Sequence, residues 1–119
     1  LRSNNSWMHN VPRLVKGRNR CTLHLHPLDA AARQLAEGQL VRVRSRVGTV
    51  ELPVELTDAM MPGVASMPHG YGHQRPGLRL QVAAQHPGVS INDLTDDARL
   101  DALTGNAALS GVAVRVEGI

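Results

Sequence analysis

Amides, hydroxyls and a few apolar anchors crowd together at two distant places in the chain, Asn4-Asn5-Ser6-Trp7-Met8-His9-Asn10 and Ser90-Ile91-Asn92-Asp93-Leu94-Thr95. Such side chains both donate and accept hydrogen bonds, which suits gripping a polar heterocycle or a sugar. Neither cluster holds a nucleophile beside a base, so the chemistry they point to is binding rather than bond breaking. A third segment, His69-Gly70-Tyr71-Gly72-His73, pairs glycines with an aromatic wall. Glycine lets a backbone approach a ligand closely and offer N–H groups to phosphate. The same five residues also read as an ordinary surface turn. Trp7, the sole Trp, reads either as core or as a ring beside a ligand.

Other candidates carry less. His24 and His26 sit two apart on a presumed strand and share a face, but no third ligand completes a tetrahedral set. His69 and His73 have the spacing of a helical metal pair, yet the intervening Gly70 and Gly72 oppose a helix and no Glu follows the first His. Cys21 has no Cys-x-x-Cys partner and reads as a small buried hydrophobe. Asp93, Asp96, Asp97 and Asp101 do not match a calcium loop and fit turn or helix-start roles. No catalytic residue and no metal ligand is therefore expected within the chain.

The elements that must position these groups are mainly strands. In residues 40–46, Val41 and Val43 alternate with Arg42, Arg44 and Arg46, the period of a half-buried strand. Val47-Gly48-Thr49 is a tight turn, and residues 50–56 repeat the alternation, so the two form a hairpin. Pro53 lacks a ladder donor and is expected on an edge or with its nitrogen facing outward. Residues 22–26 predict a strand and residues 27–36 a short helix opened by Pro27 and closed by Gly38. Met61-Pro62-Gly63 is a turn, residues 64–67 a short buried strand, and residues 78–89 a strand followed by loop. Residues 97–103 suit one or two helical turns, and residues 111–116 a closing strand with Val112, Val114 and Val116 on one face. About six strands with one or two short helices predict a closed β-barrel, with burial favouring Val41, Val43, Leu52, Val54, Val114 and Val116.

Composition limits the function classes. A chain of 119 residues makes one domain and buries roughly two thirds of its unfolded surface, so it needs no disulfide or metal staple. Thirteen cationic side chains, all arginine but Lys16, leave a net charge of +3. They are scattered rather than clustered, and with one Trp, one Tyr and no Phe the chain lacks the stacking platforms of single-strand nucleic-acid binders. No apolar run is long enough to span a membrane, and the sequence shows no secretory pattern of basic start, apolar middle and small-residue cleavage site.

Taken in order, the segments resemble one family. Asn5-Ser6-Trp7-Met8-His9-Asn10, Leu25-His26-Pro27-Leu28-Asp29-Ala30, residues 38–48, Pro62-Gly63-Val64, His69-Gly70-Tyr71, and Asn92-Asp93-Leu94-Thr95 with Thr104-Gly105 behind it resemble the C-terminal dinucleotide-binding domain of molybdopterin oxidoreductases. That group includes formate dehydrogenases, nitrate reductases and dimethyl sulfoxide reductases, and the resemblance spans nearly the whole chain. It implies a double-psi β-barrel that helps bind bis(molybdopterin guanine dinucleotide), with Mo or W, in a cleft shared with other domains. By the same resemblance Asn5, Ser6, Trp7, His9 and Asn10, with His69, Gly70, Tyr71 and Gly72, approach the pterin or diphosphate. Asn92 and Thr95 hydrogen-bond the pterin end. Gly38-Gln39 departs from the family's usual Gly-Asp. Cys21 matches no metal-ligand motif.

The resemblance further implies that the chain is a fragment without turnover of its own. The expected partners are electron-transfer subunits and the remaining domains of the catalytic subunit, with no nucleic acid and no membrane span. The compartment expected for the parent is the cytoplasm rather than the periplasm. Two readings stand beside this one: a stand-alone barrel module binding nucleic acid or a protein partner, and a double-psi barrel of the kind found in ATPase adaptors or self-processing decarboxylases. A generic barrel has no need of both polar clusters.

Overall fold

A computed structural model of the chain describes residues 6–119. The fold is mainly β. Its strands are β1 (Leu23–Leu25), β2 (Leu40–Arg44), β3 (Thr49–Leu56), β4 (Ala65–Ser66) and β5 (Arg115–Gly118), in one sheet ordered β4-β1-β3-β2-β5. The expected hairpin is β2 with β3, antiparallel, with Val41 opposite Leu52 and Val43 opposite Val50. All four of these side chains are buried, because a period of two puts every second residue on the inner face. Arg42 on the outer face pairs with Glu51 at 2.8 Å.

The chain leaves β1 through the helix α1 (Pro27–Ala32), and β1 then lies parallel to β3, Leu23 opposite Val54. His26 caps the helix, its Nδ1 accepting from the Leu28 N–H at 3.1 Å, and Pro27 occupies the first turn where a missing N–H costs nothing. Cys21, Leu23, Leu25, Ala30, Leu35, Val41, Val43, Val50, Leu52, Val54 and Leu94 form the core. Leucine and valine fill a space that most domains share with aromatics.

Several expectations need correction. Five strands are present among the described residues, where about six were expected. The helix stops at Ala32, ahead of the expected residue 36, because Gln34 takes a positive φ of 55° before Gly38 is reached. Pro53 is not on an edge. It lies in the central strand, opposite Leu40, one residue before the parallel ladder to β1 begins at Val54, so no partner is available there for the N–H it lacks. The strand expected over residues 64–67 is only Ala65–Ser66 and is half exposed. Residues 78–89 hold a 3-10 turn, Ala83–Gln85, and no strand. Residues 97–103 form no helix. The Asp101 carboxylate accepts from the Thr104 N–H at 2.7 Å and its hydroxyl at 2.8 Å, and that local turn wins over helix. The last strand starts at Arg115, so Val114 lies outside it and is 39% exposed, while Val116 packs partly against the core.

Candidate functional site

The polar cluster near the start of the chain winds into a 3-10 turn, Ser6–Asn10. Asn5 lies outside the described residues, as does the Ser6 side chain. Trp7 is 65% exposed, so the core reading fails for it and the indole is open to a ligand. Asn10 is committed to structure, since its side-chain oxygen accepts from the Val82 and Ala83 N–H groups at 3.1 and 3.2 Å. These are the donors at the start of the turn Ala83–Gln85, and buried Ala83 is held by them.

His9 is the centre of the site. It is 1% exposed, its ring lies 4.3 Å from Tyr71 between centroids, and its Nδ1 is 2.8 Å from Nε2 of His73. One imidazole donates in that bond and the other accepts. His73, 4% exposed, meets His9 edge-on at 88°. Burial pushes both pKa values down, and for His9 the neighbouring His73 adds to the shift while the Gly70 backbone opposes it. Both rings are neutral at pH 7. His9 Nε2 is buried and has no hydrogen-bond partner among the described residues. An unsatisfied buried nitrogen costs about 1–3 kcal/mol, which a ligand atom could recover. Sequence reasoning named His73 in the glycine loop and in a poor metal pattern, but left it out of the cofactor-binding set. The available signal was its place beyond a Gly-x-Gly loop, which folds it back toward the first cluster.

The loop reaches the second cluster through close backbone packing. The Gly72 and His73 N–H groups both donate to the Pro87 carbonyl, at 2.7 and 3.1 Å. Gly72 has a φ of +101°, and a Cβ there would sit 2.8 Å from that of Ser90. Gly88, with a φ of +54°, leaves no room either, since a Cβ would stand 2.6 Å from Tyr71 and 2.8 Å from Cys21 Sγ. The Cys21 thiol accepts from the Val89 N–H at 3.3 Å, and burial pushes its pKa up, so it is a packing group. Tyr71 is likewise pushed up by burial. Gly72, Gly88, Ser90 and Asp93 line an open groove of about 530 Å³, together with Arg75, which is ion-paired to Asp93.

Asn92 lies in the turn Ile91–Asp93 and is exposed; its carbonyl accepts from the Thr95 hydroxyl at 3.1 Å. Thr95 lines a different cavity, of about 760 Å³, with Ile91, Leu94 and residues 109–114. The structure thus joins His9, Gly70, Tyr71 and Gly72, brings Ser90 against Gly72, and leaves Thr95 apart. Asp96 anchors the second cluster to the hairpin, accepting from Arg46 Nε at 2.6 Å, and this bond holds its carboxyl below the usual range. His24 stands 3.7 Å from Glu55 while His26 caps α1, so the two histidines do separate work. Among the described residues no three His, Cys, Asp or Glu side chains group as metal ligands.

Over residues 1–113 the sequence matches the family described as the molydopterin dinucleotide binding domain. The chain belongs to this family. This molydopterin-binding domain is 30% identical over 126 residues to a subunit of the tetrathionate reductase of Salmonella typhimurium, covering 92% of the chain and 12% of that protein. It is 27% identical over 125 residues to the molybdopterin-containing subunit of arsenate respiratory reductase of Chrysiogenes arsenatis, covering 97% and 14%. It is 43% identical over 56 residues to the dimethyl sulfoxide/trimethylamine N-oxide reductase of Rhodobacter capsulatus, covering 47% and 7%. The chain therefore spans a small part of the length of each. The fold is shared with acetylene hydratase from Pelobacter acetylenicus, at a TM-score of 0.80 and 21% identity, over all of the domain and 17% of that chain. The nucleic-acid alternative gains no support, and Arg18, Arg33, Arg42, Arg46 and Arg75 are each neutralised by a carboxylate. The family's dinucleotide fits the residues present: an unpartnered buried imidazole nitrogen, an exposed indole, and a glycine loop packed against Ser90.

Proposed function

We propose that this domain grips bis(molybdopterin guanine dinucleotide), carrying Mo or W, inside a larger catalytic subunit. The observation that carries the reading is the junction of the turn Ser6–Asn10 with the loop of residues 69–73, which leaves His9 Nε2 unpartnered in a buried setting. When bound, that group supplies the redox chemistry, and the protein supplies position and electrostatics. His9 and Tyr71 give a rigid wall, Gly70 and Gly72 allow close approach of the backbone, and Trp7 and Asn92 offer an exposed ring and an exposed amide.

Ser6, Asn5, His69 and Thr95 complete the set by family resemblance, and the double-psi crossing of the strands belongs to the same reading. No residue of the chain is assigned a bond-breaking role. The names of the relatives, reductases of tetrathionate, arsenate and dimethyl sulfoxide, favour a reductase over a formate dehydrogenase for the parent. The partners are then its electron-transfer subunits and the remaining domains of the catalytic subunit.

The experiment is Asn92→Ala in the parent enzyme. A pterin edge left without its partner costs about 1–3 kcal/mol of binding. Cofactor content and activity fall together, while the variant folds as the wild type does. Full cofactor content in a variant with wild-type activity contradicts the reading.

A further inference from the structure

Ser45-Arg46-Val47-Gly48 joins β2 to β3 in a tight turn that is held from within. The Ser45 N–H donates to the Gly48 carbonyl at 2.9 Å, and the Ser45 hydroxyl accepts from the Val47 and Gly48 N–H groups, each at 3.2 Å. Gly48 is not among the residues of positive φ, so the backbone conformation does not require glycine there. Space does. A Cβ on Gly48 would overlap the Asp93 carbonyl oxygen outright and stand 3.2 Å from its carbon. The turn of the hairpin therefore lies directly against the backbone of the turn Ile91–Asp93.

Arg46 makes a second tie, its Nε donating to the buried Asp96 carboxylate at 2.6 Å. Between these two points Leu94 is sunk in the core at 4% exposure. The segment from Asp93 to Asp96 is thus seated on the hairpin turn at both ends. Exposed Asn92 stands one peptide bond before the seated carbonyl, so a shift of that carbonyl moves its amide. A recognition group works only when held within about 0.5 Å of its productive place. We propose that Gly48 and Arg46 are positioning residues for the cofactor, the hairpin turn being the seat that sets where Asn92 presents its amide. The inference rests on the reading that Asn92 meets the dinucleotide, and it adds two residues outside both polar clusters that decide how well.

The test is a double-variant cycle in the parent enzyme, read as the rate at which the purified protein loses its cofactor. Asn92→Ala and Gly48→Ala are each expected to speed the loss about tenfold. The double variant is expected to lose it no faster than either single one, because Gly48 acts through Asn92. Hydrogen exchange in Gly48→Ala becomes faster in residues 90–96 and stays unchanged in the ladder between β1 and β3. Arg46→Gln, at a side chain 70% exposed, keeps the question open to test if Gly48→Ala does not fold. It speeds the loss about threefold, and Arg46→Lys partly restores retention. Full retention in Gly48→Ala and Arg46→Gln, or single effects that multiply in the double variant, overturns the inference and leaves Asn92 with the cofactor. Full retention in Asn92→Ala overturns the cofactor reading itself, and this inference with it.

Discussion

At the residue scale, the buried pair His9 and His73 makes stability depend on pH in a stated direction. Their folded pKa values lie below the ordinary imidazole value of 6.5, so between the folded value and 6.5 the unfolded chain binds more protons. Stability is therefore full above pH 6.5 and falls as the pH drops through that window. Urea unfolding at a series of pH values checks this, and His73→Gln should flatten the slope on the acid side of neutrality. The carboxylates held low, Asp96 and Asp101, add their own loss only at lower pH. Gly88→Ala is expected to lose about 1–3 kcal/mol through overpacking against Tyr71 and Cys21, measured by the same unfolding. Those two neighbours also explain why the glycine's role was hidden in the sequence. The chain shows Gly88 following Pro87 but gives no sign that Tyr71 lies over it.

At the element scale the hairpin carries the core, and its two faces should respond unequally. Leu52→Ala, at 2% exposure, is expected to lose about 2–5 kcal/mol. Leu40→Ala, at 45% exposure, is expected to stay within about 0.5 kcal/mol. Chemical denaturation of both variants decides it. The hairpin was legible because its alternation is local and one face is uniformly valine and leucine. Backbone turns and side-chain choices that the periodicity does not register were not. The α1 helix is cut short by the turn at Gln34, Pro53 sits in a central strand where the neighbouring ladder has not yet begun, and residues 97–103 yield to the Asp101 turn. In the site, the loop glycines and His9 were legible as polar or permissive residue types. His73 and the structural duty of Asn10 were not, because each depends on a partner more than sixty residues away.

At the scale of the whole molecule, the loop of residues 69–73 touches His9 through Tyr71 and His73 and packs Gly72 against Ser90, beside an aromatic-poor core. The Arg46–Asp96 bond ties the second cluster to the hairpin, and the Pro87 carbonyl ties the glycine loop to the segment leading into it. Asp96→Asn should leave the sheet intact and increase amide exchange in residues 90–96, read by hydrogen exchange. The central claim is that His9, the glycine loop and the turn at Asn92 form one face for the dinucleotide. A structure of the parent enzyme with its cofactor bound tests it most directly. The expected result is cofactor atoms within hydrogen-bond distance of His9 or the Gly70–Gly72 backbone and of Asn92 at once. A cofactor seated against the cavity of Leu94, Thr95 and residues 109–114, with the His9 face empty, would contradict the account.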